Sequence, residues 1–450
     1  MNLIKNIMQV PTLEFQNKIT FFANHLLVVL AFLSPLYFRA TSSVVFILLI
    51  LLIVRRNYLY YFKEALSNKI VQAILLFILI NILWLYGSDN LSDAKTELIN
   101  LKYYLYSILF LLFVDKKFVY AIISGFILGM LFSESISYLI HFNLLPYKLE
   151  LYNTIIYESQ GVNNPSPFLN HSLYNVLLSI AIGFMLYNLL KNDNKILIKF
   201  ISVFFIVTAS VNLILVGGRI GYISYIVIIM LVLFLVYKMR IFKIVLPISF
   251  LLLTLFFYLA YNHSSQFKLR IENTISDKEK LINGNKENFK SSIGLRIGFW
   301  LNSLDVIKEN LIFGVGTGDH MNSVAQNLPK EHKYIVQMIE HPHNEYLKIL
   351  LQFGILGFIF FLNIFYQIFK LEDNDFKNYL VILTCGVCCL LLTDIFVKNI
   401  LIIFLLFISV CTSKANYLKD YIFKFNIKII IMYILLISIF LLVVLLEKVY

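Results

Sequence analysis

The stretch IGYISYIVIIMLVLFLVY at residues 220–237 decides the fold class, because its eighteen consecutive residues carry no charge. As an α-helix, a run of this length extends about 27 Å, close to the hydrocarbon thickness of a bilayer. Similar apolar runs recur along the whole 450-residue chain. The sequence therefore predicts an all-α integral membrane protein with many spanning helices.

The composition excludes a soluble protein and a nucleic-acid-binding protein. Hydrophobic residues make up 60% of the chain and charged residues only 14%, whereas soluble domains carry about 25% charged residues. The net charge of +12 does not indicate nucleic-acid binding, because the basic residues are scattered in the links between apolar runs. The positive-inside rule places basic residues in such links.

The apolar runs predict twelve or thirteen spanning helices. The count stays open because the runs at 21–54 and 378–411 are each divided by only a few polar residues. The predicted helices cover residues 21–38, 41–54, 70–86, 98–114, 118–140, 171–190, 197–216, 220–237, 244–262, 346–369, 378–394, 397–411 and 429–447.

The distribution of basic residues predicts the orientation. With the N-terminus in the cytoplasm, the short inner links hold Arg55, Arg56, Lys63, Lys69, Lys116, Lys117, Lys191, Lys195, Lys238, Arg240, Lys243, Lys370 and Lys377. The short outer links then hold Arg39, Lys95, Lys148 and Arg219. This orientation places the longest polar stretch, residues 262–345, outside the membrane between the ninth and tenth spans. We expect it to carry function and to separate two transmembrane parts, 1–261 and 346–450.

Other features of the sequence predict no separate chemistry. The four cysteines lie within or at the end of apolar runs. Cys385 and Cys388 have the CxxC spacing, but we expect them to be small apolar side chains within a span. The first apolar run lacks a small-residue cleavage site and is expected to be a retained helix.

Two arginines beside glycines are candidate phosphate ligands. Arg219 lies in Gly-Gly-Arg-Ile-Gly (217–221) at the outer end of a span, and Arg296 lies in Gly-Leu-Arg-Ile-Gly-Phe-Trp (294–300). Arginine binds phosphate through two parallel donors, and Arg296 shares a helix face with Trp300. The alternatives are an arginine that snorkels to the interface and an ordinary surface arginine.

A glycine-rich segment, Gly-Val-Gly-Thr-Gly (314–318), precedes Asp319 and His320. It lacks the Lys-Ser/Thr of a P-loop and the strand–turn–helix context of a dinucleotide fold. We therefore interpret Gly316 and Gly318 as parts of a tight turn that positions its neighbours.

The sharpest candidate for chemistry is Glu-His-Pro-His-Asn-Glu-Tyr at 340–346. His341 and His343 can accept a proton near neutral pH. The alternatives are surface histidines and a zinc site completed by Asp319 or His320. A catalytic zinc usually takes three protein ligands, and the local spacing offers two.

Together these motifs resemble the O-antigen ligase and polymerase superfamily. His343-Asn344, nine further residues and Gly354-Ile355-Leu356-Gly357 resemble its ligase signature. The glycine-rich segment 314–318, and Arg219 and Arg296 with Trp300, resemble further family positions, so that the likeness covers about 200–370. Gly218 stands where members often have Ser, and Phe358-Ile359-Phe360 stands where some ligases have Thr-Thr-Gly, which weakens the case for a ligase over a polymerase.

The resemblance implies an inverting, metal-independent glycosyltransferase without a cofactor, in the bacterial inner membrane with its active site facing the periplasm. Its donor would be a glycan on undecaprenyl diphosphate. A ligase would transfer the glycan to lipid A–core, and a polymerase to a growing glycan chain. His343 would be the general base, Arg219 and Arg296 would bind the diphosphate, and the supporting residues would be His341, Asn344, Glu345, Trp300, Gly316 and Gly318.

Two other readings remain open at this point. Within the superfamily, a member could transfer the glycan to a protein hydroxyl. A polysaccharide transporter would instead place ionisable residues within the membrane; its best candidates are Asp394 and Lys398, which we expect to pair in a short outer turn. Convergence of Arg219, Arg296 and His343 would favour the transferase.

Overall fold

The computed structural model describes residues 10–151, 154–193, 195–282, 289, 291–418 and 426–446. Within these residues, eight helices are long and apolar enough to cross a membrane, and four shorter apolar helices coincide with further predicted spans. Twelve of the thirteen predicted helices are therefore present in the described part of the chain. The prediction of an all-α, multi-pass membrane protein is confirmed, with one small β-hairpin in addition.

The helices have the following bounds. In chain order they are Leu13–Leu33, Phe38–Arg55, Tyr58–Ser67, Lys69–Leu83, Leu91–Asn100, Tyr106–Leu111, Val119–His141, His171–Lys191, Ile196–Val216, Arg219–His263, Ser265–Ile282, Ser292–Glu309, His320–Asn327, Tyr334–Met338, Glu345–Phe369, Lys377–Leu391, Lys398–Thr412 and Ile427–Leu446. Two antiparallel strands, Lys148–Leu151 and Thr154–Glu158, form the hairpin.

Local details explain where helix ends differ from the predictions. The first helix begins at Leu13 rather than at residue 21, because Thr12 caps it and the polar Gln16 is buried. The Gln16 side chain accepts a hydrogen bond from the Tyr61 hydroxyl at 3.0 Å. The range Arg219–His263 contains two predicted spans, joined at Lys238, whose φ is 53°.

The prediction of one continuous helix over 98–114 is wrong. The chain forms a short 3-10 turn at Leu101–Tyr103 and then a helix of only six residues, Tyr106–Leu111. The two ends of segment 98–114 still lie on opposite sides of the bundle. Glu97 pairs with Lys348 at one end, and at the other the Asp115 carboxylate accepts a hydrogen bond from the backbone of Leu418. Residues 98–114 therefore form a broken crossing.

Distant side chains stabilise the broken crossing by binding its backbone carbonyls. Ser409 Oγ donates to the Ser107 carbonyl at 2.9 Å. Arg55 Nη2 donates to the Leu112 carbonyl, and Asn24 Nδ2 to the Phe113 carbonyl, both at 2.7 Å. Irregular backbone is tolerated at membrane depth only where protein groups satisfy it. This also corrects the placement of Arg55 in a solvent-facing link, because its side chain is fully buried.

The long segment between the predicted ninth and tenth spans is largely helical. Helices Ser265–Ile282, Ser292–Glu309, His320–Asn327 and Tyr334–Met338 occupy most of its described part. Phe299, Val324 and Ile335 are buried together in a small hydrophobic core of its own. This core, separate from the core of the bundle, holds the segment over one end of the spanning helices.

Candidate functional site

The two histidines of 341–343 lie against each other in a tight turn. Their ring centroids are 4.0 Å apart, and the His343 backbone N–H donates to His341 Nδ1 at 3.2 Å. His343 has a φ of 51°, a left-handed conformation that is uncommon outside glycine. Because Nδ1 of His341 accepts a hydrogen bond, its neutral ring carries the proton on Nε2.

Asp394 faces both rings from the turn that follows helix Lys377–Leu391. Its Oδ1 lies 4.0 Å from His341 Nε2 and 3.9 Å from His343 Nδ1. Both separations are longer than a hydrogen bond, and His343 Nδ1 is buried without a hydrogen-bond partner among the described residues. A proton on that Nδ1 would point toward the carboxylate and leave Nε2 as a proton acceptor.

The surroundings keep both histidines neutral. Burial, His341 and the Arg296 guanidinium lower the pKa of His343 to about 4. Burial also lowers the pKa of His341, although the Asp394 carboxylate opposes the shift. At neutral pH each imidazole can therefore accept a proton, as a general base requires.

Trp300 connects the histidine turn to the helix that carries Arg296. The Trp300 indole N–H donates to the Pro342 carbonyl at 2.8 Å, and Arg296 lies one turn earlier on the same helix, Ser292–Glu309. Burial lowers the pKa of Arg296, Asp394 opposes that shift, and Arg219 adds to it. Arg296 therefore lies within electrostatic range of both Arg219 and the His343–Asp394 pair.

Two further basic residues join the arginines. A Cβ atom placed on Gly217 would stand 3.4 Å from Arg270 Nε, so Arg270 lies against the glycine turn before Arg219. His171, at the start of a spanning helix, lies within electrostatic range of Arg219, Arg270 and Arg296. Nε of Arg219, Nε of Arg270 and Nδ1 of His171 are buried without hydrogen-bond partners among the described residues.

These four residues form what we call the basic cluster: Arg219, Arg270, Arg296 and His171. Buried arginine N–H donors without partners are costly in a folded protein, and an anion would satisfy those of Arg219 and Arg270. Sequence reasoning missed Arg270 because it is one of several charged residues on a polar helix, and His171 because nothing around it indicates a ligand. Only the fold brings them to Arg219.

Asn344 and Glu345 support the backbone rather than contact His343. The Asn344 side chain accepts from the Leu347 N–H at 3.0 Å and caps the helix that begins at Glu345. The Glu345 N–H donates to Asp394 O, and its carboxylate accepts from the Phe396 N–H, both at 3.1 Å. Glu345 thereby holds the turn that presents Asp394 to the histidines.

The glycine motifs are sites of close backbone packing. Gly354 interrupts the helix Glu345–Phe369 with φ 59°, and a Cβ there would clash with the Ile312 carbonyl oxygen. Beside this break, the Val315 N–H donates to Leu351 O at 2.9 Å. The segment 311–316 therefore packs directly on the helix backbone at the break. This close approach of two backbone segments requires glycine where they meet.

Gly316 and Gly318 serve the same packing on the other side of the segment. A Cβ on Gly316 would press against the Gly87 carbonyl, and one on Gly318 against the backbone of Ala94. Asp319, just after them, accepts from the backbone N–H groups of residues 89 and 90 at 2.8 Å. These contacts agree with the prediction of a tight positioning turn.

The geometry changes the zinc alternative. Asp319 is bound to backbone, and His320 is buried and pairs with Gln352 Nε2 at 2.8 Å, so neither completes a set with the two histidines. Asp394 instead supplies the third possible metal ligand. His341, His343 and Asp394 each have one ligand atom, and these three atoms all lie within 4.8 Å of one another. Three ligands suffice for a catalytic zinc, but the neighbouring Arg296 guanidinium would repel a cation.

Comparison with known families places these features in context. Residues 204–362 match the family described as O-antigen ligase, and the matched range includes Arg219, Arg270, Arg296 and His343. No curated protein matches the chain. The motif resemblance, the multi-pass helical fold and this match agree, and together they support a domain of the O-antigen ligase and polymerase superfamily at residues 204–362.

Proposed function

We propose that the protein is an O-antigen ligase-like inverting glycosyltransferase that takes a glycan from undecaprenyl diphosphate and joins it to a sugar hydroxyl of lipid A–core. The observation that carries this proposal is the position of Arg296, which lies within electrostatic range of both His343 and Arg219. A diphosphate needs several donors, and the cluster holds buried Nε and Nδ1 atoms without partners. The neutral imidazole of His343 lies within electrostatic range of one member of the cluster, Arg296.

The proposed reaction is a single displacement. Nε2 of His343 takes the proton from the acceptor hydroxyl as its oxygen attacks the anomeric carbon, and the bond from that carbon to the diphosphate breaks. The bonding electrons leave with the diphosphate, whose added charge Arg219, Arg270 and Arg296 stabilise. Asp394 stabilises the imidazolium that forms. Attack from the side opposite the leaving group inverts the anomeric configuration.

The protein's orientation belongs to the same proposal. The site lies at the end of the bundle opposite Asp115, and the links at the Asp115 end hold most of the basic residues. The positive-inside rule puts that end in the cytoplasm. The active site then faces the periplasm of the inner membrane, where the donor lipid presents its glycan without a nucleotide sugar.

The second candidate is a polymerase that joins the glycan to a growing chain. Phe358-Ile359-Phe360, where some ligases have Thr-Thr-Gly, favours this reading. A lipopolysaccharide gel of the source strain lacking the gene, complemented with wild type or His343→Ala, separates the candidates. Loss of all O-antigen bands with glycan accumulating on its carrier indicates a ligase, and one repeat unit attached to core indicates a polymerase. An unchanged gel contradicts both.

A further inference from the structure

A cavity of about 400 Å³ lies beside the histidine turn. It opens between the broken crossing and the outer ends of the helices that begin at Glu345 and Lys398. The half-buried Asn100 and the exposed Lys398 lie at the margin of the cavity. Gln352 and Asn81 are buried in its wall. The volume falls within the range of small-molecule sites.

The cavity shares a wall with the proposed reaction centre. Asp394 faces the two histidines, whereas the residues directly after it, 395–399, line the cavity. Glu345 also lines the cavity and is bonded through its N–H to the Asp394 carbonyl. The pKa of His341, although set mainly by burial, is also lowered by the cavity residue Lys348 and by Arg296. The cavity and Arg296 of the basic cluster therefore both lie close to the histidine turn.

The charges of the lining balance, which distinguishes the cavity from the basic cluster. Two carboxylates, Glu97 and Glu345, accompany two ammonium groups, Lys348 and Lys398. Glu97 and Lys348 form an ion pair at 2.7 Å. Burial raises the pKa of Glu97, but Lys348 outweighs this effect and leaves the pKa lowered, so the carboxylate is charged. The lining therefore holds as many acidic as basic side chains, unlike the basic cluster.

The remaining lining suits a neutral ligand that carries many hydroxyls. The side chains of Asn81, Asn100 and Asn399 offer amide donors and acceptors, and Tyr103 and Tyr104 offer both hydroxyls and ring faces. Sugars present hydroxyls at their edges and apolar C–H groups on their faces. A cavity with paired charges, amides and tyrosines matches both properties.

We infer that this cavity binds a sugar of the acceptor glycan, next to the sugar whose hydroxyl His343 would activate. The inference rests on the proposed transferase function and adds the site that recognises the acceptor. In a displacement with inversion, the acceptor approaches from the side away from the leaving group. The basic cluster would hold the leaving diphosphate, and the cavity, which has no excess of basic residues, is the site left for the acceptor.

The test uses the full-length protein in lipid nanodiscs. The probe is oligosaccharide released by mild acid from the lipopolysaccharide of the source strain, and its binding is measured by saturation-transfer NMR. Asn100→Trp fills the mouth of the cavity. Ile99→Trp adds the same ring at an exposed neighbour that does not line it. Asn399→Leu removes a lining amide at nearly constant volume and replaces Asn100→Trp if that variant does not fold.

Asn100→Trp should weaken binding about tenfold or more, because the indole occupies the mouth of the cavity and the amide contact is lost, and should raise the KM for the acceptor without changing the KM for the donor. Ile99→Trp should behave as wild type, and His343→Ala should still bind the oligosaccharide. Unchanged binding and acceptor KM in the cavity variants, with normal transfer, would overturn the inference and leave the transferase function intact. Cavity-dependent binding in a wild type that transfers nothing would support a sugar site and overturn the transferase.

Discussion

The Trp300 indole N–H donates to the Pro342 carbonyl at 2.8 Å. This one bond connects the helix that carries Arg296 with the turn that carries His343. The two residues assigned to the diphosphate and to the proton are therefore held by a common support, although 46 positions separate Arg296 and Pro342 in the sequence.

Trp300→Phe should lower kcat while leaving the fold intact. The variant keeps an aromatic ring and loses only the N–H donor, which is worth about 1 kcal/mol. The histidine turn would then lose a positional constraint. Steady-state kinetics measures the effect, and Leu301→Phe, a change at the exposed neighbouring residue, is the control. A wild-type kcat in Trp300→Phe would show that the bond does not position His343.

His343→Ala should reduce glycan transfer by about 100-fold or more, the usual size of a general-base contribution. Transfer from purified lipid-linked donor to acceptor is the measurement. His263→Ala removes an exposed histidine at the end of helix Arg219–His263 and should transfer normally. Substantial activity in His343→Ala would remove this residue from the role of base.

Arg296→Gln should move the acid limb of the pH profile to higher pH. Only neutral His343 accepts a proton, so kcat/KM should be flat near neutrality and fall as the pH drops through about 4, the pKa of this partly buried imidazole. The Arg296 charge disfavours protonation, and its removal raises that pKa. Arg296→Lys keeps the charge and should keep the limb in place. An acid limb that stays fixed in Arg296→Gln would exclude His343 as the titrating group.

Gly354→Ala should lower the free energy of unfolding by about 1–3 kcal/mol, because φ 59° is strained for alanine and the new Cβ would meet the Ile312 carbonyl. Thermal unfolding in detergent measures the change. Gly87→Ala is the matched control, since a Cβ there has no neighbour within 4 Å. Equal melting temperatures would mean that the docked segment adjusts without cost.

Chelation should leave transfer unchanged if the histidines handle a proton. His341, His343 and Asp394 could hold a zinc ion by geometry, so the experiment is a direct choice between two chemistries. Activity is measured after dialysis against EDTA and again after addition of zinc. Loss on chelation with recovery on zinc would replace the general base by a metal site.

The spanning helices were predictable because a long uncharged apolar run can cross a bilayer only as a helix whose backbone groups are bonded within it. His343 could be proposed as a candidate from the sequence because its motif is local, from His343 to Gly357. The broken crossing was not, since its breaks depend on Arg55 and Ser409, whose contacts with it the sequence does not reveal.

The same limit explains the incomplete site. Asp394 was noted only for a transporter, where pairing with Lys398 was expected. The structure places the Asp394 carboxylate beside the histidines, and Lys398 Nζ 5.6 Å from the Tyr103 ring centroid. Helix packing brings Arg270 and His171 to Arg219, and periodicity in one segment cannot show this.

The broken crossing has a consequence for how the protein is made. Residues 98–114 leave the ribosome early, whereas Ser409 and the Leu418 backbone, which bind them, are synthesised about three hundred residues later. Until then the carbonyl of Ser107 lacks its native side-chain partner. The broken crossing, which supplies Leu101, Tyr103 and Tyr104 to the cavity wall, therefore gains this support only after helix Lys398–Thr412 has entered the membrane. A prematurely terminated chain would leave this crossing unsupported and expose it to membrane quality control.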